Sequence, residues 1–180
     1  MKKFVIPLEF PGIVLFDPIL FSAFVSEQLA GETDVLGGFI RRPEIGDRAV
    51  AEGFILPIYQ TEVDDYTVVL TTEHTIPPGH TLFRHEGFPL RIDSGWLVAT
   101  DIHAIMDWDP GFFANYPSVH RTASAMSGHL EIPARLYGVT VTGYRMAREA
   151  GYEVCLQPAA ALPRIDQDKS ISDFDFRLAP

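Results

Sequence analysis

Residues 50–74 read VAEGFILPIYQTEVDDYTVVLTTEH. Two β-branched and aromatic runs, 50–60 and 66–74, flank an acidic turn at 62–65, and their apolar period is close to two. That pattern predicts a pair of strands. Downstream, Pro77-Pro78-Gly79 breaks the chain, and HTLFRHEG (80–87), FPLRID (88–93) and GWLVATDIHAI (95–105) follow as short strand candidates. They are divided by Gly87 and by the turn Asp93-Ser94-Gly95. LYGVTVTGYRM (136–146) and GYEVCLQPA (151–159) predict an antiparallel hairpin joined by AREAG (147–151).

Upstream, KFVIPLEF (3–10) reads as a strand in which Pro7 marks an edge or a bend. Asp17 is placed to cap a helix with Pro18 at its first position, ILFSAFVSEQLA (19–30) as its body and Gly31 as its stop. The stretch 32–48 contains Gly37-Gly38 and Arg42-Pro43 and is expected to form loops. In the tail, 163–180, Phe174, Phe176 and Leu178 alternate, so it either docks as a last strand or frays. About eight strands, one N-terminal helix and no βαβ alternation predict a mainly β chain. The expected fold is an antiparallel β-sandwich with one N-terminal helix, residues 1–180 forming a single domain.

The 180 residues carry a net charge of −10, with 47% hydrophobic and 21% charged residues, ordinary values for a globular protein. The lone cysteine, Cys155, excludes an internal disulfide and a cysteine-rich zinc site, and its apolar setting predicts a packed thiol. Met1-Lys2-Lys3 imitates the start of a signal peptide. Pro7, Glu9, Pro11 and Asp17 interrupt the apolar run that should follow, and a cytoplasmic, bacterial-type protein is expected. The acidity argues against nucleic acid and against anionic membranes as direct partners. It suits a basic protein, although acidity also serves solubility.

That acidity is segregated. No Lys or Arg occurs between Arg48 and Arg84, where Glu52, Glu62, Asp64, Asp65 and Glu73 stand. None occurs between Arg91 and Arg121, where Asp93, Asp101, Asp107 and Asp109 stand. The second stretch runs into a long segment, 107–128, with aromatic residues among prolines and glycines; long loops of this kind are often functional. Asp64, Asp65, Asp107 and Asp109 are therefore candidate contacts to a basic partner, with Trp108 and Tyr116 as desolvated anchors.

Other chemistry is weaker. His74, His80 and His85, with Glu86, are an alternative metal-ligand set, but their spacing matches neither an HExxH helix nor an HxH pair. Asp107 and Asp109 are an alternative carboxylate pair for a hydrolase, with Trp108, Phe112 and Tyr116 as a stacking platform. Ser94 and Ser127 lack the GxSxG setting, and neither GxGxxG nor GxxxxGK occurs. No cofactor is expected.

The order of four segments carries a resemblance: FVIPLEFPGIVLFD (4–17), AEGFILPIYQ (51–60), FPLRIDSGWLVATDI (88–102) and EIPARLYGVTVTG (131–143). In this order the chain resembles the competence protein J family, small β-sandwich inhibitors of a secreted bacterial nuclease, and the looser class of immunity-type proteins. Phe88-Pro89 reverses the proline-phenylalanine order of such proteins. Ala134 and Arg135 stand where a glycine precedes the next strand. The resemblance implies a β-sandwich that binds and neutralises a partner protein such as a toxin or nuclease, and it carries over no contact residue.

Overall fold

The computed structural model describes residues 1–119, 127–147, 149–165 and 169–178. Among the described residues nine strands form two sheets: β1 (Lys2–Pro7), β2 (Gly12–Phe16), β3 (Ile55–Tyr59), β4 (Asp65–Thr71), β5 (Thr81–Ile92), β6 (Trp96–Asp101), β7 (Ser127–Glu131), β8 (Arg135–Met146) and β9 (Glu149–Pro158). The five-stranded sheet runs β1-β4-β9-β8-β5, and the four-stranded sheet runs β3-β2-β6-β7. All pairings are antiparallel except β4–β9, which is parallel. The expected mainly β, two-sheet architecture is borne out.

Between the sheets lies a core to which every second residue contributes: Val68 and Leu70 from β4, Val139 and Val141 from β8, Leu15 from β2, Leu56 from β3. The four-stranded sheet is covered on its other face too, so all five residues of β2 are buried and it reads as an unbroken apolar run. Its second cover is a helical layer: α1 (Pro18–Gln28), α2 (Val35–Arg41), α3 (Pro43–Ala51), α4 (His103–Met106), α5 (Pro110–Ala114) and α6 (Tyr116–Val119). Phe21, Phe24, Trp108 and Phe113 pack there on Val14, Phe16 and Val98.

Two helices stand where loops were expected. Asp34 caps α2 through the Gly37 amide (2.8 Å), and Pro43 occupies the first turn of α3. Gly38 lies against Leu29, where a side chain would crowd it. The glycine is a packing device rather than a break. Likewise 80–87 and 88–93 are one bent strand: Gly87, at φ +85°, accommodates the register shift between His85 and Phe88 in β5. The tail inserts without forming a strand. Phe176 and Leu178 enter the core between the sheets, and the Phe176 carbonyl accepts from the Tyr152 hydroxyl (2.9 Å).

Three carboxylates are buried among the described residues, and each gathers backbone N–H groups that no strand can satisfy. Asp17 accepts from Ile19 and Leu20 (both 3.0 Å), capping α1, and from Asp93 (2.8 Å) and Ser94 (2.6 Å) in the β5–β6 turn. Asp101 accepts from Glu9 (2.5 Å), Phe10 (3.2 Å) and His103 (2.7 Å). Glu153 accepts from the Thr75 amide (2.6 Å) and hydroxyl (2.5 Å) and from the Ile76 amide (3.1 Å), and lies 3.2 Å from His74 Nδ1. It fastens the 72–80 crossover to the outer face of β9.

Burial alone would raise the Glu153 carboxyl; the hydrogen bonds from Thr75, His74 and Ile76 outweigh it and hold it below 4.5. A carboxyl lowered on folding contributes stability that is complete above its unfolded value and is lost as pH falls through its folded one. Glu153→Gln therefore lowers stability at neutral pH by about 1–3 kcal/mol and flattens the acid side of the stability profile. Urea unfolding midpoints measured from neutral to acid pH read both effects. Asp17→Ala, which strands four amides, costs about 3 kcal/mol at neutral pH in the same assay.

Candidate protein-binding site

At one end of the sandwich three connections leave side by side. They are 8–11 between β1 and β2, 60–64 between β3 and β4, and 102–106 at the start of the β6–β7 connection. Hydrogen bonds join them: the Leu8 amide donates to the Asp64 carbonyl (3.1 Å), Thr61 to Pro11 (3.3 Å) and Ile102 to Gly12 (2.9 Å). Asp101 holds Glu9 and Phe10 from below. The His103 ring stacks on Phe10 at 4.9 Å, with Nδ1 3.7 Å from the Glu9 carboxylate. Gln60 turns the second connection with φ +62°, a left-handed conformation that costs a non-glycine residue about 1 kcal/mol.

This end is acidic. Glu9, Glu62, Asp64, Asp65 and Asp107 are all exposed, and Val63 is 59% exposed in the middle of the second connection. Their field reaches the phenols beneath. Burial pushes the Tyr66 hydroxyl up, and Glu62 and Asp64 push it further, against Arg145. Tyr152 is raised chiefly by burial and then by Tyr66, Glu62 and Asp175. Asp175 is itself held down at about 2 by hydrogen bonds from Arg177. Glu62, Asp64 and Asp65 thus form a patch of exposed carboxylates around an apolar side chain, with the exposed Arg177 close enough to interact with Glu62 and Arg145 with Tyr66.

The expected residues divide. Asp64 is exposed on the second connection, Asp65 is the exposed first residue of β4, and Asp107 is exposed immediately after α4. Asp109 is exposed, but its carboxylate caps α5 through the Phe112 amide (3.0 Å). Trp108 and Tyr116 do not reach the surface, being 2% and 1% exposed. Trp108 stacks on Phe113 at 4.4 Å and meets Phe16 and Phe21 edge-on, and burial pushes the Tyr116 hydroxyl up to about 12. Their apolar bulk closes the helical layer over the four-stranded sheet. Residues 120–126 of the long segment lie outside the described residues.

Several acids of the two base-free stretches are engaged elsewhere. Asp101 is buried, Asp93 pairs with Arg91, and Glu52 lies 3.9 Å from Arg48. The two stretches therefore do not form one continuous face; part of each contributes to this end. Glu9 joins it from outside both. Its position between Pro7 and Pro11, in a short link that cannot continue either strand, was the available signal.

The alternative metal set does not assemble. His74 is engaged by Glu153 and exposed His80 sits in the turn 78–80. His85 stacks on Phe83 at 4.7 Å, with Nε2 2.9 Å from the Asp175 carbonyl. Among the described residues no three His, Cys, Asp or Glu side chains are grouped to hold a metal ion. Glu86 is exposed on β5. Cys155 is buried, and burial pushes its thiol up, away from the reactive thiolate. Among the described residues no helix is long and apolar enough to cross a membrane.

No family model matches the chain, and the curated proteins give no match. A solved structure does match: ComJ from Bacillus subtilis, inhibitor of the DNA degrading activity of NucA. The match covers 88% of this chain and 96% of that one, at a TM-score of 0.50 and 8% sequence identity. The fold is similar to that of ComJ. At this identity the likeness lies in the architecture, and it bears out the resemblance read from the order of the four segments.

Burial separates the roles of these residues. Trp108→Ala is expected to lower stability by about 3–5 kcal/mol, whereas Asp64→Asn and Asp65→Asn change it by less than about 0.5 kcal/mol each. Denaturant unfolding of the three variants makes the comparison.

Proposed function

We propose that this protein binds and inhibits a basic protein, a nuclease being the favoured class, and that the acidic end described above is the contact surface. The observation that carries the reading is the similarity of its fold to an inhibitor of a nuclease, over nearly the whole of both chains. The acidic end supplies a mechanism consistent with it. A nuclease that grips phosphates presents Lys and Arg, and carboxylates can occupy the same cationic cleft. In this reading Glu62, Asp64, Asp65 and Asp107 stand in for the phosphates of the substrate and speed encounter at long range. Asp109, Trp108 and Tyr116 act from beneath, holding the connection that carries Asp107. The proposed protein works inside the cell and needs no cofactor.

The test measures DNA degradation by a panel of cationic nucleases with increasing amounts of the purified chain. Stoichiometric inhibition of a member supports the reading; a panel left fully active and not retained by the immobilised chain contradicts it. For an inhibited nuclease, replacing Asp64, Asp65 and Asp107 together by Asn lowers the association rate about tenfold at low salt, the deficit shrinking as salt rises. Stopped-flow or surface binding kinetics at two ionic strengths would read that change.

A further inference from the structure

Beside the acidic end, the helical layer leaves the four-stranded sheet partly open. A groove of about 470 Å³ runs between α2 and α3 on one side and β3, the 8–11 connection and α4 on the other. That volume is in the range, about 300–1,000 Å³, of sites that receive a ligand or anchoring side chains. Phe10, Phe39, Val50 and Tyr59 are among its walls, and Asp47 and Gln60 are its non-aromatic polar side chains. No base lines it. The arginines of the neighbouring helices are engaged elsewhere: Arg41 and Arg42 with Glu32, and Arg48 with Glu52 and over the Phe24 ring. Ile40, at the rim, is 71% exposed.

We propose that this groove is the socket for an apolar segment of the basic partner, flanked by Lys or Arg. Two observations choose that occupant. The groove is apolar with an acid and no base in its lining, which favours a neutral or cationic guest over an anionic one. It is also continuous with the acidic end: Phe10 and Gln60 lie on the two connections that carry Glu9 and Glu62–Asp64. Interfaces draw most of their affinity from a few desolvated anchors in pockets, ringed by polar groups. With Trp108 and Tyr116 buried, the anchor comes from the partner and this chain supplies the pocket.

This inference rests on the partner reading above, and calorimetry of the full chain at low salt separates the two. The probes are a lysine hexapeptide and a nine-residue peptide with three leucines among six lysines. The leucine peptide is expected to bind at least about tenfold more tightly. Ile40→Ser combined with Asp47→Lys, both at exposed positions, should remove that advantage with an unchanged circular dichroism spectrum. Equal affinity for the two peptides, or an advantage that survives the double variant, overturns the socket. If the lysine hexapeptide fails to bind while the leucine peptide binds and responds to the variant, the socket stands and the acidic-end reading falls. A neutral dye, N-phenyl-1-naphthylamine, that binds the groove and is not displaced by the leucine peptide also overturns it, in favour of a small apolar ligand.

Discussion

Three buried carboxylates hold together what the two sheets cannot. A β-sandwich satisfies its strand amides by pairing, but its connections leave N–H groups that must find acceptors or water. Asp17, Asp101 and Glu153 each take two or more such groups into the interior. Asp17 ties the helical layer to the β5–β6 turn, Asp101 ties the β1–β2 link to α4, and Glu153 ties the long crossover to the outer face of the larger sheet. Each carboxylate is satisfied in the interior by hydrogen bonds from backbone N–H groups, joined at Glu153 by the Thr75 hydroxyl. Removing one strands several donors at once, and this makes the placement of the connections cooperative with the core.

The same constraint shapes the surface. Asp101 is the reason the 8–11 and 102–106 connections leave together, and that adjacency brings Glu9 and His103 to the end where Glu62, Asp64 and Asp65 emerge. The chain is acidic overall, yet its acids do different work. Asp17, Asp101 and Glu153 organise backbone, Asp109 caps a helix, Asp93 pairs with an arginine, and a smaller set faces solvent. That residual set is the one assigned to the partner in the proposed function. In the proposal, the apolar groove beside it supplies the second ingredient of a protein interface, a pocket for a desolvated anchor.

Much of the architecture was legible because strand period and turn chemistry agree. Asp93-Ser94-Gly95 and the 62–65 turn separate strands, and Asp17-Pro18 opens a helix. The misreadings have local causes. Gly37, Gly38 and Pro43 carry turn propensity, but Asp34 caps the first helix, Pro43 opens the second, and Gly38 is needed for contact with Leu29. Gly87 looks like a break and is a bulge within one strand. Trp108 and Tyr116 sit among polar and turn residues, a pattern shared by exposed loops and by short helices that close over a sheet. Composition cannot distinguish these; the edge-on packing of Trp108 against Phe16 and Phe21 does. Glu153 was hidden for the opposite reason: the segment that covers it, 72–80, is remote in sequence.

The central claim is that the end carrying Glu9, Glu62, Asp64 and Asp65 is where a partner lands. Amide hydrogen exchange of the chain, alone and with a basic nuclease it inhibits, addresses that claim residue by residue. The account predicts new protection in 8–11, 60–65 and 102–107, together with the groove-facing turns of α2 and α3, and little change in 72–80 or the β5–β6 turn. Protection centred on 72–80 and the outer face of the five-stranded sheet, with the acidic end unaffected, would contradict it.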